Sequence, residues 1–381
     1  MPSPSKRCSV NSAMNCNADL TRAVSEHGEA SNRINDGADD GISPEIRRRL
    51  NTPICIGGRT VQSRLILSPM SGLTHVAFRE LLAGFGGCGL MFTEMCSAGA
   101  LSHENRRVSA VFRWRDAELE NLVCQIVGSD PATMAAAARR IAAEGFFGVD
   151  LNFGCSVGAI CRKNCGAALL KTPDLAVQIV GAVRRAVSIP VFVKFRTGWE
   201  DRPEPAADLA RRFEDVGADA LVFHPRVAPD RRTRPPRWPH IAGVRQAVTI
   251  PVFGNGEVFS GPDLERIMRV SGCDGVSLGR IAVAMPWVFA QWTAGVAPGP
   301  DIFRHALLRH LELLLTHFET RIALRKFRQA ALYPAAMFQY GHAFYKRLRN
   351  APDTEQISAV IHDFFDTAPR PMDRPNMNLF L

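Results

Sequence analysis

Cys155 ends a short apolar run, GVDLNFGCS, whose only earlier polar side chains are Asp150 and Asn152. A polar strand end that opens into a Gly-rich loop usually carries chemistry. Ordinary thiols are mostly protonated at neutral pH, so Cys155 can serve as a general acid. Cys161 and Cys165 follow in the same loop without a CxxC pair, so no metal is expected there. Lys194 interrupts the apolar run VFVKF. Period-2 alternation points it inward, where an ammonium needs an anionic or electron-rich neighbour. Asp150 and Glu94 are the structural alternatives for that neighbour. Gln125, Asn152, His224, Arg226 and Asn255 occupy other strand ends. The runs GNGE (254–257) and LGR (278–280) supply Gly256, Glu257, Gly279 and Arg280, a pattern suited to holding a phosphate.

These residues need a scaffold that gathers strand ends on one face. Eight short apolar segments are read as strands: RLILSPM, GLMFTEM, LVCQIVG, GVDLN, IPVFVKFRTG, ALVFHPR, IPVFGNGE and GVSLGR. Helical patterns separate most of them: SGLTHVAFRELLAGFG, DPATMAAAARRIAAEG with a start signal at Asp130-Pro131, and the stretches 173–186, 205–216 and 262–270. This alternation predicts an α/β fold, a (β/α)8 TIM barrel with its site at the C-terminal strand ends. Residues 1–50 lack apolar periodicity and are expected to be a disordered extension. The barrel is assigned to 51–298. After the Gly/Pro-rich TAGVAPGPD, residues 299–381 read as a small all-helical domain with a short Pro-rich tail.

Composition narrows the class. The net charge of +9 comes mainly from arginine, since only six residues are lysine, and it favours an anionic partner such as nucleic acid. Ten cysteines without a small-domain disulfide pattern read as reduced thiols of a cytoplasmic protein. No apolar run reaches the roughly 18 residues needed to span a bilayer, so no membrane association is expected.

The runs LNFGCS and GAALLK together resemble the signature of the tRNA-dihydrouridine synthase family. So do SPMSGLTHVAFR, TEMCSAGAL, VCQIVGSDPATMAAAA, VKFRTGW and the long stretch from GNGEVFS to LGRIAVAMPWVF. Ser156 stands where the family usually has Pro. Pro225 and Val227 replace Gly and Thr of its His-x-Arg motif. The resemblance implies reduction of specific tRNA uridines to 5,6-dihydrouridine, with FMN as cofactor and NADPH as reductant. It implies Pro69, Met70 and Ser71 along the flavin ring, with Gln125 and Lys194 at its pyrimidine edge. His224 would approach the ring and ribityl chain, while Asn255, Gly256, Glu257, Gly279 and Arg280 hold ribityl and phosphate. Cys155 would be the catalytic acid, with Asn152 and Arg226 toward the substrate.

Folded RNA must surround a base that leaves its stack, so tRNA phosphates need basic groups near the barrel mouth. Candidates are Arg231, Arg232, Arg234 and Arg237 in the sixth loop. On the helical domain they are Arg325, Lys326, Arg328, Lys346, Arg347 and Arg349. A monomer is expected. Two rivals remain: an FMN barrel enzyme acting on a free pyrimidine, of the dihydroorotate dehydrogenase kind, and an RNA-binding protein without catalysis.

Overall fold

The computed structural model describes residues 40–230 and 233–380. Eight parallel strands form the centre: β1 (Leu65–Leu67), β2 (Met91–Phe92), β3 (Leu122–Val127), β4 (Gly148–Phe153), β5 (Val191–Gly198), β6 (Ala220–Val227), β7 (Val252–Asn255) and β8 (Gly275–Leu278). Consecutive strands pair from β2 to β8, and β8 pairs with β1. Leu67 N donates to Leu90 O at 2.9 Å, and a parallel bridge joins Ile66 to Leu90, which closes the barrel. The short strand Cys96–Ser97 runs beside the end of β3. The fold is the expected (β/α)8 barrel.

Alternation sorts the strand side chains into two layers. Ile66, Phe92, Val123, Phe192, Val222 and Phe253 fill the barrel interior. A hairpin of Ile54–Ile56 and Arg59–Val61 adds Ile54, Ile56 and Val61 to this interior cluster. Outward-facing Leu65, Val149, Val191, Val193, Phe195 and Phe223 pack beneath the helices. The helices begin where the sequence supplies caps. Asp130 accepts from Thr133 N at 2.8 Å before Pro131–Ala143, and Ser260 accepts from Asp263 N before Gly261–Ser271. The helix Pro239–Ala247, between β6 and β7, was not anticipated from the sequence.

One terminal expectation needs correction. The disorder expected for 1–50 fails over 40–50, where Pro44–Leu50 form a helix capped by Ser43. Ile42, Ile46 and Leu50 join the main core, and Arg47 donates to the carbonyls of Gln291 and Trp292. A helix of seven residues, about two turns, is too short for its periodicity to register in the sequence. The expectation for 1–39 lies outside the described residues. At the other end, the Pro-rich tail folds back, with Met372 N bonded to Met337 O and Asn376 N to Ala336 O, both at 2.7 Å. Phe380 is buried against Tyr333 and Phe259.

The C-terminal helices Ile302–His317, Thr320–Ala330, Gly341–Asn350 and Thr354–Asp366 form the helical region expected after the barrel. Their buried residues belong to the same apolar cluster as the barrel's outer layer. Ile302–His317 lies against the barrel helix Val76–Phe85, and His317 Nε2 pairs with Glu80 at 2.6 Å. Among the described residues, no helix is long and apolar enough to cross a membrane.

Candidate active site

A cavity of about 730 Å³ opens at the C-terminal ends of the strands. Such volumes suit a drug-sized ligand or cofactor. Pro69, Met70 and Ser71 line it from the loop after β1, and Gln125 from β3. Asn152 and Cys155 come from the end of β4, Lys194 from β5, and His224 and Arg226 from β6. Asn255, Gly256 and Glu257 at the end of β7, with Gly279 and Arg280 after β8, complete the set. The residues expected to act on cofactor or reacting base thus converge on one space, because barrel closure turns eight strand ends toward a common axis.

The cavity floor is a chain of buried polar groups. Gln125 Nε2 donates to Asp150 Oδ2 at 2.6 Å, and Asn152 Nδ2 donates to Gln125 Oε1 at 2.8 Å. Asn255 Nδ2 donates to Ser68 Oγ and to Ser277 O, and its Oδ1 accepts from Lys194 Nζ at 3.4 Å. Burial raises Asp150 to about 7 against the pull of Gln125 and Lys194. Burial, then the charge of Arg196, lowers Lys194 to about 8, while Asp150 and Cys155 oppose this. Of the two structural alternatives for Lys194, Asp150 is the one that acts on it; Glu94 pairs with Lys326 at 3.5 Å instead. His224 is held well below its usual range by burial and by the nearby Arg196, Lys194, Arg226 and Arg280. A neutral imidazole is the result.

The Cys155 loop rests on the rim of this floor. Asn152 Oδ1 accepts from Gly154 N at 3.2 Å and Cys155 N at 2.9 Å, an Asx turn that fixes where the strand ends. Asn152 therefore positions Cys155 as well as facing the cavity. Cys155 O accepts from Ala167 N at 2.8 Å, and Trp199 Nε1 ties Ala167 O to the end of β5. Gly166 has φ 62°, and a Cβ there would lie 2.5 Å from Cys155 O, so only glycine lets the loop close.

At the ends of β7 and β8 the charged groups pair with one another. Arg226 Nη2 pairs with Glu257 Oε1 at 2.6 Å, and Arg280 Nη2 lies 3.5 Å from the same oxygen. Glu257 thus holds two guanidinium groups in place beside the β7 and β8 glycines. Gly256 has φ 117°, and a Cβ there would strike the His224 ring at 2.9 Å. The glycine is required for backbone and imidazole to meet.

The expected RNA contacts fare unevenly. Arg325 is exposed. Lys326 is a correction: it is buried, paired with Glu94, and 5.1 Å over the Phe318 ring. Arg328 is another, since its Nη2 bonds the carbonyls of Ala351 and Pro352 and closes a helix end. Successive residues on a helix point about 100° apart, so Lys326 turns into the core while Arg325 and Arg328, three apart, share the outer side, which a basic run in the sequence conceals. Arg237 is occupied by Asp201 and Asp230. Arg234 is exposed, and Arg231 and Arg232 lie outside the described residues.

Among the cavity residues that escaped the sequence reading, three carry polar groups of note: Arg196, Gln329 and Tyr333. Arg196 lies two positions after Lys194 on the same inward face, so alternation was enough to find it. Burial, with Arg226 beside it, lowers it to about 10, which leaves it charged at neutral pH. Gln329 and Tyr333 reach the cavity from the helical region, and no local signal marks them.

Several features of the donor set fit a flavin phosphate. His224 Nε2 and Arg196 Nε are buried without a hydrogen-bond partner, as groups awaiting a polar ligand would be. At Gly279 an added Cβ would only touch Met70 Sδ at 3.5 Å, so the backbone there is uncrowded. The set offers cations and amides at one end and a neutral imidazole with an ammonium at the other.

Comparison with known proteins agrees. The family model described as Dihydrouridine synthase (Dus) matches residues 66–366. The tRNA-dihydrouridine synthase B of Pseudomonas aeruginosa is 33% identical over 318 residues, covering 81% of this chain and 95% of that protein. A probable tRNA-dihydrouridine synthase of Mycobacterium tuberculosis is 35% identical over 350 residues, covering 85% and 89%. Among solved structures, histamine dehydrogenase from Rhizobium sp. 4-9 shares the fold with a TM-score of 0.53 and 13% identity, over 70% of this chain and 51% of that one. With a family model covering most of the chain and relatives aligned along nearly their whole length, the chain belongs to the dihydrouridine synthase family.

Proposed function

We propose that this chain reduces uridines of tRNA to 5,6-dihydrouridine, with FMN held in the cavity and NADPH as reductant. The observation that carries this reading is the convergence of Cys155, Lys194, His224 and the β7 and β8 glycines on one cavity, in a chain of this family. A bound flavin supplies the hydride for carbon 6 of the base. Everything else falls to the protein.

Lys194 presents its ammonium to the pyrimidine edge of the flavin, where negative charge is stabilised. Gln125, fixed between Asp150 and Asn152, sets the direction of its remaining amide hydrogen toward that edge. His224, neutral and buried, offers a hydrogen bond without adding charge beside Lys194. Gly256, Gly279 and Arg280 receive ribityl and phosphate, with Glu257 keeping Arg226 and Arg280 in place. Cys155 delivers the proton to carbon 5 from the rim, and Arg196 faces the base from the floor. Gln329 and Tyr333 narrow the mouth around a base that has left its stack. The exposed Arg234, Arg325, Lys346, Arg347 and Arg349 supply the field for tRNA phosphates.

The test is reconstitution. Purified protein with FMN, NADPH and an unmodified tRNA transcript should be yellow and should add two mass units at specific uridines, read by mass spectrometry of nuclease fragments. A protein that ignores FMN, or one that reduces free pyrimidines and leaves tRNA unchanged, overturns the reading.

A further inference from the structure

The loop from Cys155 to Cys165 holds three thiols, and the reaction uses one. Their environments differ. Cys161 Sγ points back at the start of the loop, 3.5 Å from Cys155 O. Cys165 Sγ instead faces Lys163 O at 3.2 Å, within its own turn. Cys161 closes a single helical turn, Gly158–Cys161, whose first residues are exposed together with Val157. A one-turn element on an open loop can shift without disturbing the core. Both the Cys155 and Cys161 sulfurs lie in the field of the buried Arg196 guanidinium.

We propose that Cys161 is the redox partner of Cys155, forming a disulfide that draws the rim thiol away from the cavity and stops uridine reduction. With an azodicarboxamide oxidant such as diamide, two S–H bonds break and one S–S bond forms. The two electrons and two protons pass to the N=N bond, which becomes a hydrazide. A dithiol reductant reverses the change by exchange. The floor groups that would hold the flavin take no part. The pairing rests on the contact of Cys161 Sγ with Cys155 O, whereas its effect on rate rests on Cys155 as the proton donor.

The experiment treats the full-length protein with diamide, alkylates remaining thiols and maps peptides by mass spectrometry, alongside flavin content and dihydrouridine formation. The expected result is a Cys155–Cys161 linkage, unchanged flavin content, and dihydrouridine formation reduced at least tenfold and restored by dithiothreitol. Cys161→Ser should form dihydrouridine normally and resist diamide, and Cys165→Ser should behave like the unaltered protein. A Cys155–Cys165 linkage, or none within the loop, overturns the pairing. A Cys155–Cys161 linkage with undiminished dihydrouridine formation overturns the switch and also removes Cys155 from the chemistry.

Discussion

The floor and the rim of the cavity are built on opposite principles. The floor stands on strands, and its polar groups Asp150, Gln125, Asn152 and Asn255 are buried and linked by side-chain hydrogen bonds. The rim thiol stands on a loop, where backbone bonds to Asn152 and Ala167 fix its main chain and its neighbours are open to solvent. A buried network is costly to leave half-satisfied, so a floor that still holds the unpartnered Asp150 Oδ1 is suited to a permanent cofactor. An exposed loop can part to admit a base and close again. The comparison teaches that cofactor retention and proton delivery should be separable by mutation.

The largest expected effect breaks the rim and spares the floor. Cys155→Ala should lower dihydrouridine formation by roughly 100- to 10,000-fold, the usual loss for a general acid. Flavin content and NADPH oxidation should stay near normal, as measured by absorbance and stopped flow. Equal loss of flavin would show that floor and rim are one unit.

The converse variant breaks the floor. Lys194→Ala should weaken FMN binding by about 10- to 100-fold, the equivalent of a charged hydrogen bond of roughly 1.5–3 kcal/mol. The pH dependence has a definite sign. Lys194 is held down to about 8 by burial first and Arg196 second, so its positive charge is present below that value and lost above it. FMN affinity should therefore fall as pH rises from 7 to 9, and Lys194→Met should flatten that fall. An unaltered slope in the variant would place the titrating group elsewhere.

A smaller effect should appear away from both. Deleting the chain through residue 50 removes Ile42, Ile46 and Leu50 from the core, each worth about 1.5–3 kcal/mol when fully buried. The melting temperature should fall by several degrees in a thermal shift assay, with the Cys155 and Lys194 phenotypes still distinct. No change in melting temperature would mean that this helix contributes little.

The smallest effect separates surface charge from buried charge on one helix. Arg325→Ala should weaken tRNA binding by a few-fold, less at high salt, without changing thermal stability. Lys326→Ala should do the reverse, because it strands the buried Glu94. Equal effects of the two on tRNA affinity would contradict their different exposures.

Much of this molecule was legible without coordinates because its logic is local and periodic. Strand alternation put Lys194 inside the barrel, and the same rule, applied two residues further, would have put Arg196 there. Gly-rich strand ends marked the loops of β7 and β8, and Asp130 with Pro131 marked a helix start, since turns and caps depend on neighbouring residues alone. The helix at 44–50 and the return of Phe380 to Phe259 carry no such periodicity; they are held by contacts with residues more than a hundred positions away. Charge was the least legible property. Arg325, Lys326 and Arg328 look alike in a row, yet one is exposed, one is buried against Glu94 and one seals a helix end. Composition fixes how many charges a chain has, but only packing decides which of them meet water.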